Sequence, residues 1–273
     1  MSGARRFLAG LLAAVSFGAA AEPAPLSIEE IARTAAAATS PAAALAATRD
    51  LPYRHIGHLN LEGLEPAKAL RVEATARFFD ALLTDLEATS VGERMTVAYG
   101  QWVRLNGRTP DAVETARAFL AYRDWLSKRN EARMHQRIAR SSLALALSRS
   151  ALPSELVDPD LSASDLPTSE TLHAMVQNRL PQAGKARELH NLTTTVLELD
   201  WLIRAEKPRT KARSDFAVRV VDEAREQLGA GASPDLGGAM AAIVEAQLDE
   251  RRVDYRIQLL RYKLEGLAAP RRP

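Results

Sequence analysis

From Pro66 to Leu147 the chain carries apolar residues at helical spacing, interrupted once, at Asn106-Gly107-Arg108-Thr109-Pro110. This run constrains the fold more than any other feature. On its first side Leu70, Ala74, Phe78, Leu82 and Leu86, then Val91, Met95, Ala98, Trp102 and Leu105, step by threes and fours around one slip, close to a heptad. About 40 residues at the helical rise make a rod of about 60 Å, longer than a compact domain needs. Gly107 supplies a helix stop, Thr109 an N-cap, and Pro110 an early position in the next helix, where its missing N–H is tolerated. The spacing therefore predicts an antiparallel helical hairpin.

The return arm reads Val113, Ala116, Phe119, Leu120 and Leu126, turns polar, and becomes apolar again at Leu143–Leu147. In its polar middle Arg129, Arg133, Arg137 and Arg140 recur at helical spacing as a basic stripe. Folding the hairpin about residues 107–110 sets Arg129 opposite Glu87, Arg137 opposite Asp80 and Arg140 near Glu73, so cross-arm ion pairs are expected to fix the register. The alternative is a solvated basic face, where each pair contributes about 0–1 kcal/mol.

The chain opens with Arg5-Arg6, an apolar run from Phe7 to Ala21, and small residues at Ala19 and Ala21 before Glu22-Pro23. That is the pattern of a secretory signal peptide over residues 1–21, and the apolar run is short for a span of about 20 residues. Its removal takes Arg5 and Arg6 from 36 basic residues and none from 34 acidic ones, leaving charge balanced. No concentrated basic tract with interleaved aromatics remains to suggest nucleic acid. The absence of cysteine excludes disulfides, thiolate metal sites, a cysteine nucleophile and a lipid-modified N-terminal cysteine. Alanine fills much of the apolar quota, which suits close helix–helix seams.

In chain order, Ser27 is expected to cap a helix with Glu30 closing a capping box, and Ser40-Pro41 to punctuate it. A second alanine-rich turn leads to Asp50-Leu51-Pro52, and Tyr53–Gly63 reads as a loop. Leu152-Pro153, Asp158-Pro159 and Leu166-Pro167 mark an irregular connector. Helices are then expected over Glu170–Gln177, Ala183–Ala205, Ala212–Leu228 and about Leu236–Leu267, with Pro208 breaking or kinking the second of these. At an offset of 140, Glu30 falls on Glu170, Pro41 on Pro181 and Ala43 on Ala183, and the order of parts recurs. The expected organisation is a first helical repeat over 22–150 with its tip near 106–111, a connector over 151–169, and a second repeat over 170–273 with its tip near 229–235.

On these features the chain resembles the TolC-type outer-membrane efflux proteins. The resemblance rests on the two short openings Leu26-Ser27-Ile28-Glu29-Glu30-Ile31 and Leu166-Pro167-Thr168-Ser169-Glu170-Thr171-Leu172, the stretch from Leu70 to Leu86, Gln136–Arg140 and Leu152–Leu156. It implies an all-α fold of elongated coiled-coil hairpins in two tandem repeats, a periplasmic or outer-membrane-associated location, and a role in or beside an envelope efflux system. It also implies that the tip carrying Arg108, Thr109 and Asp111 meets a periplasmic adaptor protein, and it leaves a homo-oligomer open. One departure stands out. The family builds a barrel from two membrane strands per repeat, each needing about 9–11 alternating residues, and neither Tyr53–Gly63 nor the charged, Pro208-broken Ala205–Asp215 supplies them.

Chemistry is sparse. His55 and His58 form an H-x-x-H pair without a third ligand cluster and read as solvated loop histidines; His135, His173 and His190 stand alone. Asp80, Asp85 and Glu87 sit among arginines, where charge pairing outweighs acid–base catalysis. Ser141-Ser142 has no G-x-S-x-G context, and no phosphate-binding glycine motif occurs. Trp102, Trp125 and Trp201 read as core or seam residues. The expectation is a helical interaction protein, not an enzyme, without cofactor, metal or membrane-spanning helix in the mature chain. The alternatives are a helical ligand- or metal-binding module and an atypical outer-membrane efflux channel.

Overall fold

A computed structural model describes residues 25–110, 112–152, 154–161, 166–179, 186–230 and 236–268. The expected signal peptide, Asp111, Pro181 and residues 231–235 of the expected second tip lie outside the described residues. The fold is all-α: α1 (Ile28–Ala36), α2 (Pro41–Thr48), α3 (Pro66–Asn106), α4 (Val113–Ala146), α5 (Ser169–Arg179), α6 (Ala186–Trp201), a π-helical turn (Leu202–Glu206), α7 (Lys207–Gly229) and α8 (Leu236–Ala268). Among the described residues the one extended pairing is an isolated parallel bridge between Leu26 and Leu156, which pins the lead into α1 against the connector after α4. Ser27 caps α1 as its sequence predicts, its hydroxyl accepting from the Glu30 N–H at 3.4 Å.

Helices α3 and α4 form the expected hairpin. Asp85 on α3 binds Arg140 and Gln136 on α4, while nearer the tip Tyr99 and Trp102 meet Phe119 and Tyr122, so the arms run antiparallel. The turn is longer than its sequence suggests. Gly107 follows α3 with a right-handed φ of −73°, and α4 begins only at Val113. Thr109 does not cap α4. Its N–H bonds the Leu105 carbonyl and its own carbonyl accepts from the Thr115 hydroxyl, so it prolongs the end of α3.

The long helices pack in the order α4, α3, α8, α7. Phe79 of α3 stacks on Tyr255 of α8 with ring centroids 4.3 Å apart, and the Arg71 guanidinium lies over the Tyr262 ring at 4.7 Å. On the far side of α8, Lys207 and Arg213 of α7 pair with Asp254 and Asp249. One apolar core surrounds Leu70, Phe78, Phe79 and Leu83 and takes in Ile31, Leu143, Tyr255 and Leu259. A second gathers Leu172, Leu192, Val196, Leu199, Leu260 and Leu264, so α8 contributes to both. Gly266 of α8 allows the closest approach: a Cβ there would lie 2.6 Å from Leu64 Cδ2.

Pro208 neither breaks nor ends its helix. Proline lacks the N–H for an i−4 bond and its ring collides with the i−4 carbonyl, which would disrupt a plain α-helix. Here the turn just before it opens to π geometry, and the Lys207 N–H reaches back five residues to the Leu202 carbonyl. The same turn absorbs a slip in the buried seam. Val196, Leu199 and Leu202 step by threes, Thr210, Ser214, Ala217, Val221 and Ala224 by alternate fours and threes, and the interval from Leu202 to Thr210 is one residue longer than a step of three and a step of four together. Because the π turn takes up that residue, both halves of the rod face α8.

Candidate functional site

The densest polar chemistry is built on α3. Glu73, Asp80 and Glu87 recur every seven residues, which places them on one helix face. That face meets the loop between α2 and α3, not α4. Arg77, one turn from Glu73 and only 2 % exposed, donates from Nε to Glu73 Oε1 at 2.9 Å and from its terminal nitrogens to the carbonyls of Thr48, Leu51 and Pro52. Its guanidinium also lies 3.9 Å above the Tyr53 ring, and the Tyr53 hydroxyl binds Glu73. Burial, reinforced by the neighbouring Glu73 carboxylate, pushes the Tyr53 phenol up, so it stays protonated as a donor.

Asp80 is buried and accepts the backbone N–H groups of Arg54, at 3.1 Å, and His55, at 2.7 Å. Glu87 binds the Arg54 guanidinium at 3.3 Å and His55 Nε2 at 3.1 Å. The hydrogen bond from His55, with Arg54 assisting, holds the Glu87 carboxyl down to about 2 against the opposing effect of burial. From the other side α8 reaches the same loop: Arg252 lies 3.4 Å from His55 Nδ1, and Arg256 donates to the carbonyls of Ile56 and His58 while paired with Glu198 of α6. Further on, Asn191 of α6 donates to the Glu62 carbonyl and accepts from Lys263 at 2.7 Å. Lys263 is 5 % exposed, and burial lowers its ammonium to about 8. The loop turns at Gly57 and Gly63, whose φ values of +74° and +85° suit glycine.

The arrangement is a polar clasp: carboxylates of α3 hold the loop's N–H groups, and arginines of α3 and α8 hold its carbonyls. Such groups are stable when buried because, Arg252 Nε apart, they are partnered. It redistributes the ion pairs expected across the hairpin. Arg140 meets Asp85 and not Glu73, because Asp85 is the carboxylate that turns toward α4. Arg129 and Arg137 do not reach Glu87 and Asp80; among the described residues neither forms an ion pair, because the loop occupies those acids. His55 is not solvated, its side chain being 7 % exposed between Glu87 and Arg252, whereas His58 is exposed. Trp102 and Trp125 are half-buried, but Trp201 is exposed on the outer side of α6. Arg108 and Thr109 stand exposed at the hairpin tip.

Arg77, Arg252, Arg256, Asn191 and Lys263 were not singled out by the sequence. Only Arg77 left a signal there, a lone cation inside the apolar stretch Ala74–Phe79. Beside the clasp, a cavity of about 1160 Å³ opens between α2 and the loop, lined by Leu45, Leu61 and Leu64 with Tyr53, Arg77 and Arg187. Among the described residues no group of three or more metal-ligating side chains converges, and no helix is long and apolar enough to cross a membrane. Comparison with protein-family models, curated proteins and solved structures finds no match.

Proposed function

We propose that the chain is a non-enzymatic helical interaction protein of the periplasm, related to the helical hairpins of TolC-type efflux proteins, and that it joins copies of itself edge to edge in or beside an envelope export system. One observation carries this reading. The two outer helices of the row, α4 and α7, both keep large apolar side chains in solvent: Val113, Leu120, Met134, Ile138 and Leu145 on α4, and Phe216 and Val218 on α7, continued by Leu197 and Trp201 on α6. Leu120 is 62 % and Phe216 60 % exposed. An exposed apolar stripe such as that of α4 marks an interaction surface.

Both edges also carry exposed charge. Arg123, Arg133 and Arg137 are exposed on α4, while α7 exposes Lys211, Arg219 and Arg225 among Asp215, Asp222 and Glu226. Followed through the contacts of Asp85 with Arg140, Arg94 with Ala241 and Arg213 with Asp249, Arg133 and Met134 stand level with Arg219 and Val218. A copy placed beside the first would set apolar residues of the two edges, Met134 and Val218 among them, against each other. The tip carrying Arg108 and Thr109 then remains available to an adaptor protein, as the resemblance implies.

Light scattering and chemical cross-linking of the full chain test the reading. Oligomers in the native protein, lost on Met134→Glu or Phe216→Glu with helicity unchanged, are expected. A native chain that stays monomeric at high micromolar concentration removes it. The cavity beside α2 favours a second reading, a helical ligand-binding module, for which a small molecule that raises the melting temperature and is displaced by filling the cavity through Ala46→Trp is the corresponding test.

A further inference from the structure

We propose that His55 is a proton-operated latch between the two hairpins: neutral, it joins α3 to α8, and protonated, it stays with α3 and releases α8. The geometry assigns both imidazole nitrogens. Nε2 is 3.1 Å from a Glu87 oxygen and Nδ1 is 3.4 Å from Arg252 Nη2. A guanidinium can only donate, so Nδ1 presents its lone pair to Arg252 and the ring proton sits on Nε2, donated to Glu87. A proton taken up by the ring has one place to go, Nδ1. There an N–H then faces an N–H, and the bond to α8 is replaced by repulsion between imidazolium and guanidinium, while the bond to Glu87 gains charge.

The charged groups around the ring come from every element packed on it. Helix α3 presents Glu87 and, at the His55 backbone, Asp80. The loop itself adds Arg54, which shares Glu87. Helix α8 presents Arg252, and one turn on Arg256, which Glu198 of α6 partners. The acids that bond His55 itself, Glu87 and Asp80, lie on α3 and the nearest opposing cation on α8, so a proton on the ring strengthens one attachment and weakens the other. Arg252 also has somewhere to go. Its Nη1 already holds Asp249 at 2.8 Å, and its Nε is sealed from solvent without a hydrogen-bond partner, a group that gains water when the side chain swings out. Arg256 keeps its hold on the Ile56 and His58 carbonyls throughout, so the latch loosens the coupling of the halves without dissolving it. The inference does not depend on self-association of the chain.

A double-mutant cycle of His55→Gln and Arg252→Met, read by urea unfolding of the full chain at about pH 7.5 and about pH 5, the range in which histidine changes charge, is the test. At neutral pH the two residues should couple favourably by about fivefold in the folding constant, the worth of one hydrogen bond. In acid the coupling should vanish or turn unfavourable. No favourable coupling at neutral pH, or the same coupling at both, overturns the latch. So does ¹⁵N spectroscopy of the imidazole that finds the neutral ring protonated at Nδ1, a measurement that needs no variant.

Discussion

Arg77 donates to Glu73 across 2.9 Å, one turn apart on α3, with both side chains almost wholly out of water. This pair anchors the loop before α3, because the rest of the guanidinium is committed to the carbonyl of Thr48 at the end of α2 and to the loop carbonyls of Leu51 and Pro52. Arg77→Ala leaves a buried carboxylate without its counter-ion and should cost about 3–5 kcal/mol in urea unfolding. Arg77→Lys keeps the charge but not the planar fork, and should fall between the two. Equal stability of all three proteins would contradict the clasp.

Glu87 gives the loop an acid limit. Its folded-state value lies near 2, below the ordinary 4.5, so above 4.5 its bond to His55 contributes stability in full. As the pH falls from 4.5 through 2, the unfolded chain takes up the proton first and that contribution is lost. Urea midpoints measured across this range should drop less steeply in Glu87→Gln than in the native chain.

Lys263 acts in the opposite direction. Burial lowers its ammonium from 10.5 to about 8, so between those values the unfolded chain holds a proton that the folded chain has given up. Stability therefore rises with pH over that window. Thermal unfolding should show the rise in the native protein and its absence in Lys263→Met, with Asn191 still bonded to the Glu62 carbonyl.

Near the tip the hairpin has an aromatic seam in place of aliphatic packing. Trp102 lies almost parallel to Tyr122, with centroids 5.7 Å apart, and tilted against Phe119 at 5.3 Å. Trp102→Ala should cost about 2 kcal/mol, less than for a fully buried aromatic because the ring is half-exposed. Hydrogen exchange should localise the loss to residues 97–125 and leave the core around Phe78 protected.

Helix type and extent were legible where periodicity and local signals agreed. The steps of three and four from Leu70 to Leu105 define α3, and Ser27 with Glu30 fixes the start of α1. The partners of charged residues were not legible. Helical spacing shows that Glu73, Asp80 and Glu87 share a face but not what lies on it, and the loop that does, Tyr53–Gly63, has no periodicity to announce its position. Its grip depends on backbone groups, such as the Ile56 and His58 carbonyls taken by Arg256 from two hundred residues away, which residue identities cannot disclose. Thr109 misled for a related reason, since a good capping residue was used by the preceding helix.

The π turn ahead of Pro208 gives the second long rod a tolerance in length. A surplus residue stored at one point works like slack in a rope: taking it up there leaves the lie of everything beyond unchanged, whereas shortening the rod elsewhere twists one half against the other by about 100°. Deleting Ile203 in a Pro208→Ala background should straighten the turn into plain α-helix while Thr210, Ser214 and Ala217 keep their place against α8. Deleting Leu199 with the turn intact should swing that seam into solvent. The local irregularity that looks like a fault in the helix is thus what keeps its two ends in phase.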